Sequence, residues 1–413
     1  MAHVNSEIGK LKKVILHQPG SEVENMTPEN AERALYSDIL NPTVASREYN
    51  DFKSVLKIVA ETYEVIDLLE ETLETEAARV KIIERVCKEE NKEELKEYLS
   101  SLSNEELARE LVEGVPLRRN NLTNFLSGER FALSPLHNFF FTRDASMSFN
   151  DKVLIGNMYS KVRKREAMIM DIIFNFNEKV KSETINLQKN ADSFSIEGGD
   201  FLIVNENIFL IGNGMRTTTF AIDAFIDYLR ANSTERKYII VQELPRNLES
   251  FIHLDMIFTF LDKDSCLVYE PVIFNQHDYR TVTITIDNGK IKSIRETKNI
   301  LHSLLKLGYD FDPIACGGDT DLWIQQREQW HSGANFFAFE PGKILGYGRN
   351  QYTLDEINKY GFEVKSAKEI IADNSIINNY KKLAITIDGA ELARGGGGCR
   401  CMTMPLDRND VDW

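Results

Sequence analysis

Short apolar stretches alternate with polar turns along most of the chain after about residue 130. Four stretches share one pattern: a polar residue, an apolar strand, a turn of Asn, Asp, Glu, Gly or Pro type, and a second apolar strand. This pattern predicts β-hairpins. Segments with helical spacing, such as REAMIMDIIFNF and TTTFAIDAFIDYLR, lie between them. The polar residues that open the hairpins are Asp144, Asp200, Asp255 and Asn335.

Repetition of this strand–turn–strand–helix unit predicts modules packed around a common axis. The N-terminal KLKKVILHQPG and the C-terminal RCMTMPLDR supply strands for a further unit. The pattern therefore predicts an α/β fold of five ββαβ modules, a pseudo-symmetric propeller in which the two chain ends meet in one module. An open α/β sheet is the alternative, and the repeated polar opener favours the ring.

A charged, helical segment between residues 70 and 126 interrupts the alternation. Within it, SNEE from Ser103 to Glu106 is typical of a capping box at a helix start. We interpret 70–126 as a helical insertion and residues 1–69 and 127–413 as the α/β propeller. One helical face of the insertion is predicted to consist of Leu73, Ala77, Val80, Ile83 and Cys87.

Composition and charge narrow the class of protein. The 413 residues are 42% hydrophobic and 27% charged, as in ordinary globular proteins. A formal net charge of −15 repels phosphate backbones, so nucleic acid is not predicted as a partner, whereas a small cation would be attracted. No apolar run approaches the ~18 residues of a membrane helix, and the N-terminus has no apolar signal region. With five scattered cysteines, these features predict a cytoplasmic protein that does not bind membranes.

Two cysteines stand close together near the C-terminus, in RGGGGCRCMTMP from Arg394 to Pro405. They could form a metal clip or a disulfide, or one of them could be a nucleophile. Zinc needs two further ligands at close spacing, and the seven histidines offer no such cluster. A metal site is therefore not predicted here.

If the modules are equivalent, their polar openers converge at one end of the axis. Glu197 accompanies Asp200, His253 accompanies Asp255, and Cys401 opens the C-terminal unit. Residues from separate modules would then form one candidate active site.

These residue types indicate a particular chemistry. A thiolate such as that of Cys401 attacks an sp² carbon, and a neighbouring histidine such as His253 transfers protons near neutral pH. Glu197 would keep that histidine charged or relay its protons. Carboxylates bind a planar guanidinium through paired hydrogen bonds, so Asp144 and Asp255 would clamp a guanidinium that faces Cys401.

Five ordered motifs resemble those of the arginine deiminase family: FFFTRD, IEGGD, HLD, REQW followed by GAN, and RCMTMP. SEIGKLKKVILHQPG and PGKILGYGRN are also similar to that family, so the resemblance covers essentially the whole chain. It implies the five-module propeller, or pentein fold, of the guanidino-group modifying enzymes. It also implies a homo-oligomer, a dimer or tetramer, that hydrolyses L-arginine to L-citrulline and ammonia in arginine catabolism without a metal or cofactor.

The resemblance implies a role for each candidate residue. Cys401 would form a covalent S-alkylthiouronium intermediate, and His253, assisted by Glu197, would protonate the departing ammonia and then activate water. Asp144 and Asp255 would hold the guanidinium. The residues expected to bind the amino-acid end of the substrate are Asn138, Arg163 and Arg216.

The sequence departs from the family pattern near the nucleophile. Many members have proline where Cys399 stands and arginine where Gly396 stands. One contact to the substrate carboxylate would then be absent, or Arg394 or Arg400 would supply it. The alternative for Arg163, within KVRKRE, is a solvated helix face.

Three alternative functions stay open. A pentein-fold hydrolase or amidinotransferase could act on another guanidino substrate, such as agmatine or a methylated arginine, and the relative turnover of arginine and agmatine would test this. A non-catalytic binding protein would lack one of Cys401, His253 or Glu197, and all three are present. A zinc or redox protein built on CRC would be recognised by stoichiometric zinc.

Overall fold

Alternating strands and helices make up the chain, and this confirms the predicted mixed α/β class. The computed structural model describes residues 1–27, 36, 38–187, 194–246, 249–275, 278–319 and 321–413. Within these ranges, every helix is too short or too polar to span a lipid bilayer.

Five of the sheets formed by the described residues share one pairing scheme. In each, the first strand is antiparallel to the second, and the second is parallel to the third. We call these sheets, with their connecting helices, the first to fifth units. Their three strands are, in turn, Ser146–Phe149, Lys152–Ile155 and Glu183–Ile185; Phe201–Asn205, Ile208–Asn213 and Lys237–Glu243; Phe258–Phe260, Ser265–Val268 and Asp312–Ala315; Phe337–Glu340, Lys343–Tyr347 and Leu383–Ile387; and Met404–Arg408, Leu11–Leu16 and Glu61–Glu64.

Helices connect the second strand of each unit to the third, because a parallel pair needs a long crossover. The second strand of each unit is mostly buried, as expected for a strand at the centre of a sheet that is covered on both faces. The crossover helices are Lys164–Phe176 in the first unit; Thr219–Asn232 in the second; Glu270–Ile273 and Ile300–Lys306 in the third; Gln351–Lys359, Ala367–Ala372 and Ile376–Asn379 in the fourth; and Ser21–Glu24 and Pro42–Val59 in the fifth.

Two of the five sheets carry extra strands. The hairpin Thr281–Asp287 and Lys290–Thr297 belongs to the crossover of the third unit, but it pairs antiparallel with Lys237–Glu243 of the second. It therefore ties these two units together. In the fourth unit, Glu363–Ser366 pairs parallel with Leu383–Ile387.

The two chain ends share the fifth unit, as predicted. Ile15 lies opposite Met404 in an antiparallel pair, and Lys13 lies opposite Glu61 in a parallel pair. The C-terminal strand is thereby fixed in a sheet whose other strands come from the N-terminal region. The arrangement of all five units around one axis stays a prediction.

The predicted insertion is largely helical. Ser103 and Glu106 form both hydrogen bonds of the predicted capping box, which is therefore confirmed. The elements of this region are the helices Val65–Leu73, Glu76–Glu89, Lys96–Ser101, Asn104–Glu113 and Leu122–Leu126, and the paired strands Val115–Pro116 and Phe131–Leu133.

The predicted apolar face in this region is wrong in detail. Leu73 ends one helix, and the next helix starts afresh at Glu76, so the helical spacing is not continuous between them. Ala77 and Val80 are exposed, whereas Ile82 and Val86 are buried.

The core of the helical region continues into the first unit. Leu107 and Leu111 pack in the same apolar cluster as Ile169 and Ile173 of the first crossover helix, and Met404 of the fifth unit also belongs to it. The division of the chain into 70–126 and the remainder stays a prediction.

Candidate active site

Every unit begins with a polar residue at the same place, one to three residues before its first strand. A strand that starts in a buried sheet fixes the position of the side chain just before it. In unit order these residues are Asp144, Asp200, Asp255, Asn335 and Cys401.

The structure brings the predicted site residues of separate units to one cleft. Two of these residues lie directly behind this cleft. Glu197 is hydrogen-bonded to His253, and Asp255 lies close to the sulfur of Cys401. The predicted residues that line the cleft itself are Asn138, Asp144, Arg163, Arg216, His253 and Cys401.

His253 is held between carboxylates. Its Nε2 lies 2.9 Å from Glu197 Oε2, and its Nδ1 lies 3.7 Å from Asp144 Oδ1. Burial lowers the pKa of His253, but the surrounding carboxylates, including that of Asp200, outweigh burial and raise the pKa above its ordinary value. Although burial disfavours the charged form of Glu197, Arg216 and His253 hold the pKa of this carboxyl well below its usual range. The pair is therefore an imidazolium next to a carboxylate.

The sulfur of Cys401 is buried and faces acidic groups. Sγ lies 3.7 Å from Asp255 Oδ2, and it accepts a hydrogen bond from Asn335 Nδ2 at 3.2 Å. Burial, followed by the negative charges of Asp255 and Asp144, raises the pKa of Cys401 well above its ordinary value. Without a further cation beside these acids, residue 401 is a thiol at neutral pH.

The two carboxylates predicted to clamp a guanidinium already hold arginines of the protein. Arg163 Nη1 donates to Asp144 Oδ2 at 2.7 Å, and Arg400 Nη1 donates to Asp255 Oδ2 at 2.8 Å. The second oxygen of Asp144 accepts the Gly199 amide at 3.2 Å. Each acid is thus fixed by one hydrogen bond from an internal guanidinium, which leaves its Oδ1 without a bond from these arginines.

Arg163 does not lie on a solvated helix face, so that alternative is wrong. Its side chain is 4% exposed, and its guanidinium is forked on Glu166, with Nε and Nη2 3.1 Å and 2.8 Å from Glu166 Oε2. Nη2 also points at the backbone carbonyl of Asn138 at 3.4 Å. Arg163 therefore has to exchange some internal partners before it can bind a substrate carboxylate.

Arg216 and Asn138 complete the predicted binding set. Arg216 is buried and donates from Nη1 to Glu197 Oε2 at 3.2 Å. Asn138 is 5% exposed and lines the cleft together with Phe141. These two residues and Arg163 bring two positive charges and one amide to the lining of the cleft.

The glycine loop lies over the cleft, as predicted. Gly395, Gly396 and Gly397 all line it. Gly396 has φ +85°, a left-handed conformation that favours glycine. A Cβ on Gly397 would lie 2.6 Å from the Phe141 ring, so the backbone can approach this closely only without a side chain.

The expected substitutes for the family arginine point elsewhere. Arg400 is buried and bound to Glu7 and Asp255, and Arg394 forms an ion pair with Asp38. The expectation that Arg400 supplies a contact to the substrate carboxylate is therefore wrong. Cys399 is fully buried in an apolar cluster, and this makes it a packing residue.

Two residues of the site have no assigned role in the sequence interpretation. Glu7 accepts hydrogen bonds from Arg400 through both carboxylate oxygens. Arg400 Nη2 lies 2.9 Å from Glu7 Oε1 and Nε lies 3.0 Å from Oε2, although 393 positions separate the two residues. Glu166 binds Arg163 in the same manner, through both of its carboxylate oxygens. Nothing in the local sequence around Glu7 signals this contact, whereas the i, i+3 spacing of Arg163 and Glu166 is a recognisable signal.

Among the described residues, one group could hold a metal ion. Asp144, Glu197 and His253 each offer a ligand atom, and these atoms lie within 4.8 Å of one another. The guanidinium groups of Arg163 and Arg216 already sit on these carboxylates, so a metal cation would meet positive charge there. The donor set is better suited to an organic cation that shares hydrogen bonds with the acids.

The fold and the cleft define the class of protein as an α/β enzyme scaffold with a buried cysteine among acids. Comparison with solved structures agrees at the level of the fold. The amidinotransferase SxtG from Microseira wollei superimposes with a TM-score of 0.54 at 12% identity, over 99% of this chain and 98% of its own. Unliganded AgrE gives a TM-score of 0.54 at 13% identity over 97% of this chain, and this chain spans 40% of the length of AgrE.

Sequence comparison is more specific. The family profile described as arginine deiminase matches residues 32–408. An arginine deiminase of Mycoplasma capricolum subsp. capricolum is 33% identical over 99% of this chain and 98% of its own length. The chain belongs to the arginine deiminase family.

Proposed function

We propose that the cleft hydrolyses the guanidino group of L-arginine, giving L-citrulline and ammonia. The observation that carries this proposal is the cleft lined by Cys401, His253 and Asp144, with Glu197 and Asp255 directly behind it in contact with His253 and Cys401. These groups come from four separate segments of the chain, and together they match a planar cation that is attacked by sulfur.

The guanidinium of the substrate binds between Asp144 and Asp255 with its central carbon next to Cys401. Asp144 Oδ1 and Asp255 Oδ1 are the oxygens that the internal arginines do not take, and Asp255 Oδ1 lies 3.9 Å from the sulfur. The substrate carboxylate binds to Arg216 and Arg163. Their positive charges distinguish arginine from agmatine, which has no carboxylate.

Binding of this cation also activates the nucleophile. Asp255 and Asp144 are the charges that raise the pKa of Cys401. A guanidinium placed between them neutralises that field, so the thiolate becomes favourable when the substrate is present. The empty enzyme is thereby protected from unspecific thiol chemistry.

The reaction then proceeds in two halves. When the substrate binds, the Cys401 thiol loses its proton to solvent, because His253 is already protonated. The thiolate sulfur bonds to the guanidinium carbon, His253 gives its proton to one terminal nitrogen, and the carbon–nitrogen bond breaks to release ammonia. The now neutral His253 takes one proton from water, whose oxygen bonds to the carbon of the S-alkylthiouronium. The carbon–sulfur bond then breaks, the second proton of that water leaves the oxygen and returns to the sulfur, and citrulline departs. Glu197 keeps His253 oriented and stabilises its charged form through the 2.9 Å contact.

We further infer a closed ring of the five units, with 70–126 inserted between the fifth and the first. The shared position of the openers supports the ring, since Asp144 and Cys401 line one cleft and Asp255 and Asn335 contact Cys401. A cytoplasmic location is supported by five free, buried thiols. A homo-oligomer is supported by apolar side chains of the helix Leu122–Leu126, of which Leu122 is 72% and Leu126 71% exposed.

A mass spectrum of protein quenched during turnover tests the proposed function. We expect an arginine-derived adduct on Cys401 in the wild type and none in Cys401→Ala, together with citrulline and ammonia in equal amounts. Preferential turnover of agmatine or of a methylated arginine would replace the substrate assignment and leave the covalent mechanism intact. No adduct and no citrulline from folded protein would overturn both.

A further inference from the structure

We propose that Asn335 is a further catalytic residue, whose side-chain amide donates a hydrogen bond to the reacting sulfur of Cys401. This inference rests on the proposed function, in which Cys401 is the nucleophile. Asn335 Nδ2 lies 3.2 Å from Cys401 Sγ, and the residue is 1% exposed. Asn335 opens the fourth unit, so it reaches the sulfur from a different module than Cys401 does.

The orientation of the Asn335 amide is fixed by the backbone of the nucleophile itself. Its Oδ1 accepts the N–H of Arg400 at 2.9 Å and the N–H of Cys401 at 3.4 Å. Its Nδ2 also donates to the carbonyl of Asp255 at 3.2 Å. Because Oδ1 is occupied by two donors, the NH₂ group has to face the sulfur. The side chain therefore sets the position of residue 401 and contacts its reacting atom at the same time.

The local backbone is shaped to admit this contact. A Cβ on Gly398 would lie 2.6 Å from both Cβ and Oδ1 of Asn335, so only glycine permits the approach. The backbone of Gly398 also hydrogen-bonds Cys401. One of the four consecutive glycines thus serves the nucleophile directly, and the others line or cover the cleft.

The chemical value of this donor follows from the charges around the sulfur. Asp255 and Asp144 oppose the formation of a thiolate, and neither can donate a hydrogen bond when ionised. An amide N–H carries no titratable charge, so it favours the thiolate over the thiol at every working pH. It acts twice in the reaction: it stabilises the attacking thiolate, and it stabilises the thiolate that is expelled when water has added.

Asn335→Asp tests the assignment with little change in shape, because it replaces the donor with an oxygen. We measure the thiolate absorbance of Cys401 from pH 8 to the highest pH at which the protein stays folded, because the pKa of this buried thiol lies well above its ordinary value. The reference is the same protein carrying Cys401→Ser, and alkylation by iodoacetamide is followed in parallel. A hydrogen bond to a charged group accounts for about a tenfold or greater loss in thiolate fraction at a given pH. Alkylation slows less, about threefold, because a more basic thiolate is more nucleophilic. Ammonia release should fall in kcat with KM unchanged.

Asn350→Asp is the matched control. Asn350 is 1% exposed, belongs to the same unit, and donates to the His331 carbonyl at 3.1 Å, away from the sulfur. It should leave the thiolate titration unchanged. If Asn335→Asp is recovered unfolded, Asn335→Ser carries the same test, since its hydroxyl is too short to keep both contacts. A folded variant whose thiolate titration superimposes on that of the wild type overturns the proposal.

The thiolate measurements separate this inference from the proposed function, because they use no arginine. Suppose that Asn335→Asp shifts the titration of Cys401, but the wild-type protein does not turn over arginine. This result would support the role of Asn335 and contradict the substrate assignment. If the titration of Cys401 is unshifted and the wild-type protein does turn over arginine, only the role of Asn335 is contradicted.

Discussion

Replacing Glu7 by glutamine should destabilise the protein from a position remote in sequence from the nucleophile. Glu7 is buried and binds Arg400 through both carboxylate oxygens. Arg143 and Arg408 are the other buried guanidinium groups that act on this carboxylate. Glutamine keeps the shape but removes the negative charge that all three buried arginines share. Asp255 would still act on Arg400 and Arg143.

Two arguments give a similar magnitude for the stability that is lost when Glu7 is replaced by glutamine. Burial raises the pKa of Glu7, but the three arginines outweigh burial and lower the pKa from 4.5 to about 2. At roughly 1.4 kcal/mol per pH unit, that difference corresponds to about 3 kcal/mol of stability at neutral pH. Removal of one partner of a buried ion pair costs about 3–5 kcal/mol in other proteins. We therefore expect Glu7→Gln to lower the free energy of unfolding by about 3 kcal/mol at pH 7.

The stabilisation that Glu7 provides should decrease as the pH falls. The folded pKa of Glu7 is lowered, so its contribution is fully present above the unfolded value of 4.5 and is lost as the pH falls towards 2. Urea denaturation followed by tryptophan fluorescence should show a large difference between wild type and variant at pH 7. The difference should shrink by more than half at pH 3, because Glu7 is then protonated in the unfolded wild type, so folding has to ionise it again at a cost in free energy.

Glu89→Gln serves as the control for this experiment. Glu89 is exposed at the end of the helix Glu76–Glu89, so its replacement should change the unfolding free energy by no more than about 0.5 kcal/mol. A loss below about 1 kcal/mol for Glu7→Gln at pH 7 would refute the reasoning. So would a difference between variant and wild type that is equally large at pH 7 and pH 3.

Further variants address the chemistry. Cys401→Ala should abolish ammonia release and keep a wild-type circular dichroism spectrum, whereas retained turnover would contradict the role of the sulfur. Asp255→Ala should abolish citrulline formation and weaken arginine binding in calorimetry, because half of the guanidinium clamp is lost. Glu197→Gln should shift the alkaline limb of the kcat/KM profile to lower pH, because Glu197 helps to raise the pKa of His253; an unmoved limb would exclude that coupling. Arg216→Ala should raise KM for arginine at least about tenfold and leave that for agmatine nearly unchanged, since only arginine has a carboxylate.

Much of the site was predictable from the sequence, for a physical reason. A polar residue just before a buried strand cannot turn away from the end of that strand, so repetition of this arrangement in Asp144, Asp255 and Cys401 indicates convergence. Pairing of the N-terminal and C-terminal strands was predictable in the same way, because both segments are apolar and leave one unit incomplete. Recognition of the family then assigned chemistry to these positions.

Local patterns were less reliable where a new element begins. The helical spacing from Leu73 to Cys87 looked continuous, yet a helix ends at Leu73 and another begins at Glu76, so Val80 is exposed. A period of 3.6 residues is reset whenever the chain changes direction, and nothing in the apolar pattern marks that change.

Only the tertiary structure decided which charged groups are partners. Glu7 and Arg400 are 393 positions apart, and Asn335 and Cys401 are 66 apart, so no spacing rule connects them. Arg163 and Arg400 were candidates for the substrate carboxylate through the resemblance to the family, but folding places each on an acid of the protein. Side-chain identity and strand periodicity are local properties that a sequence carries directly, whereas the balance of buried charge depends on which distant segments the sheets bring within a few ångströms.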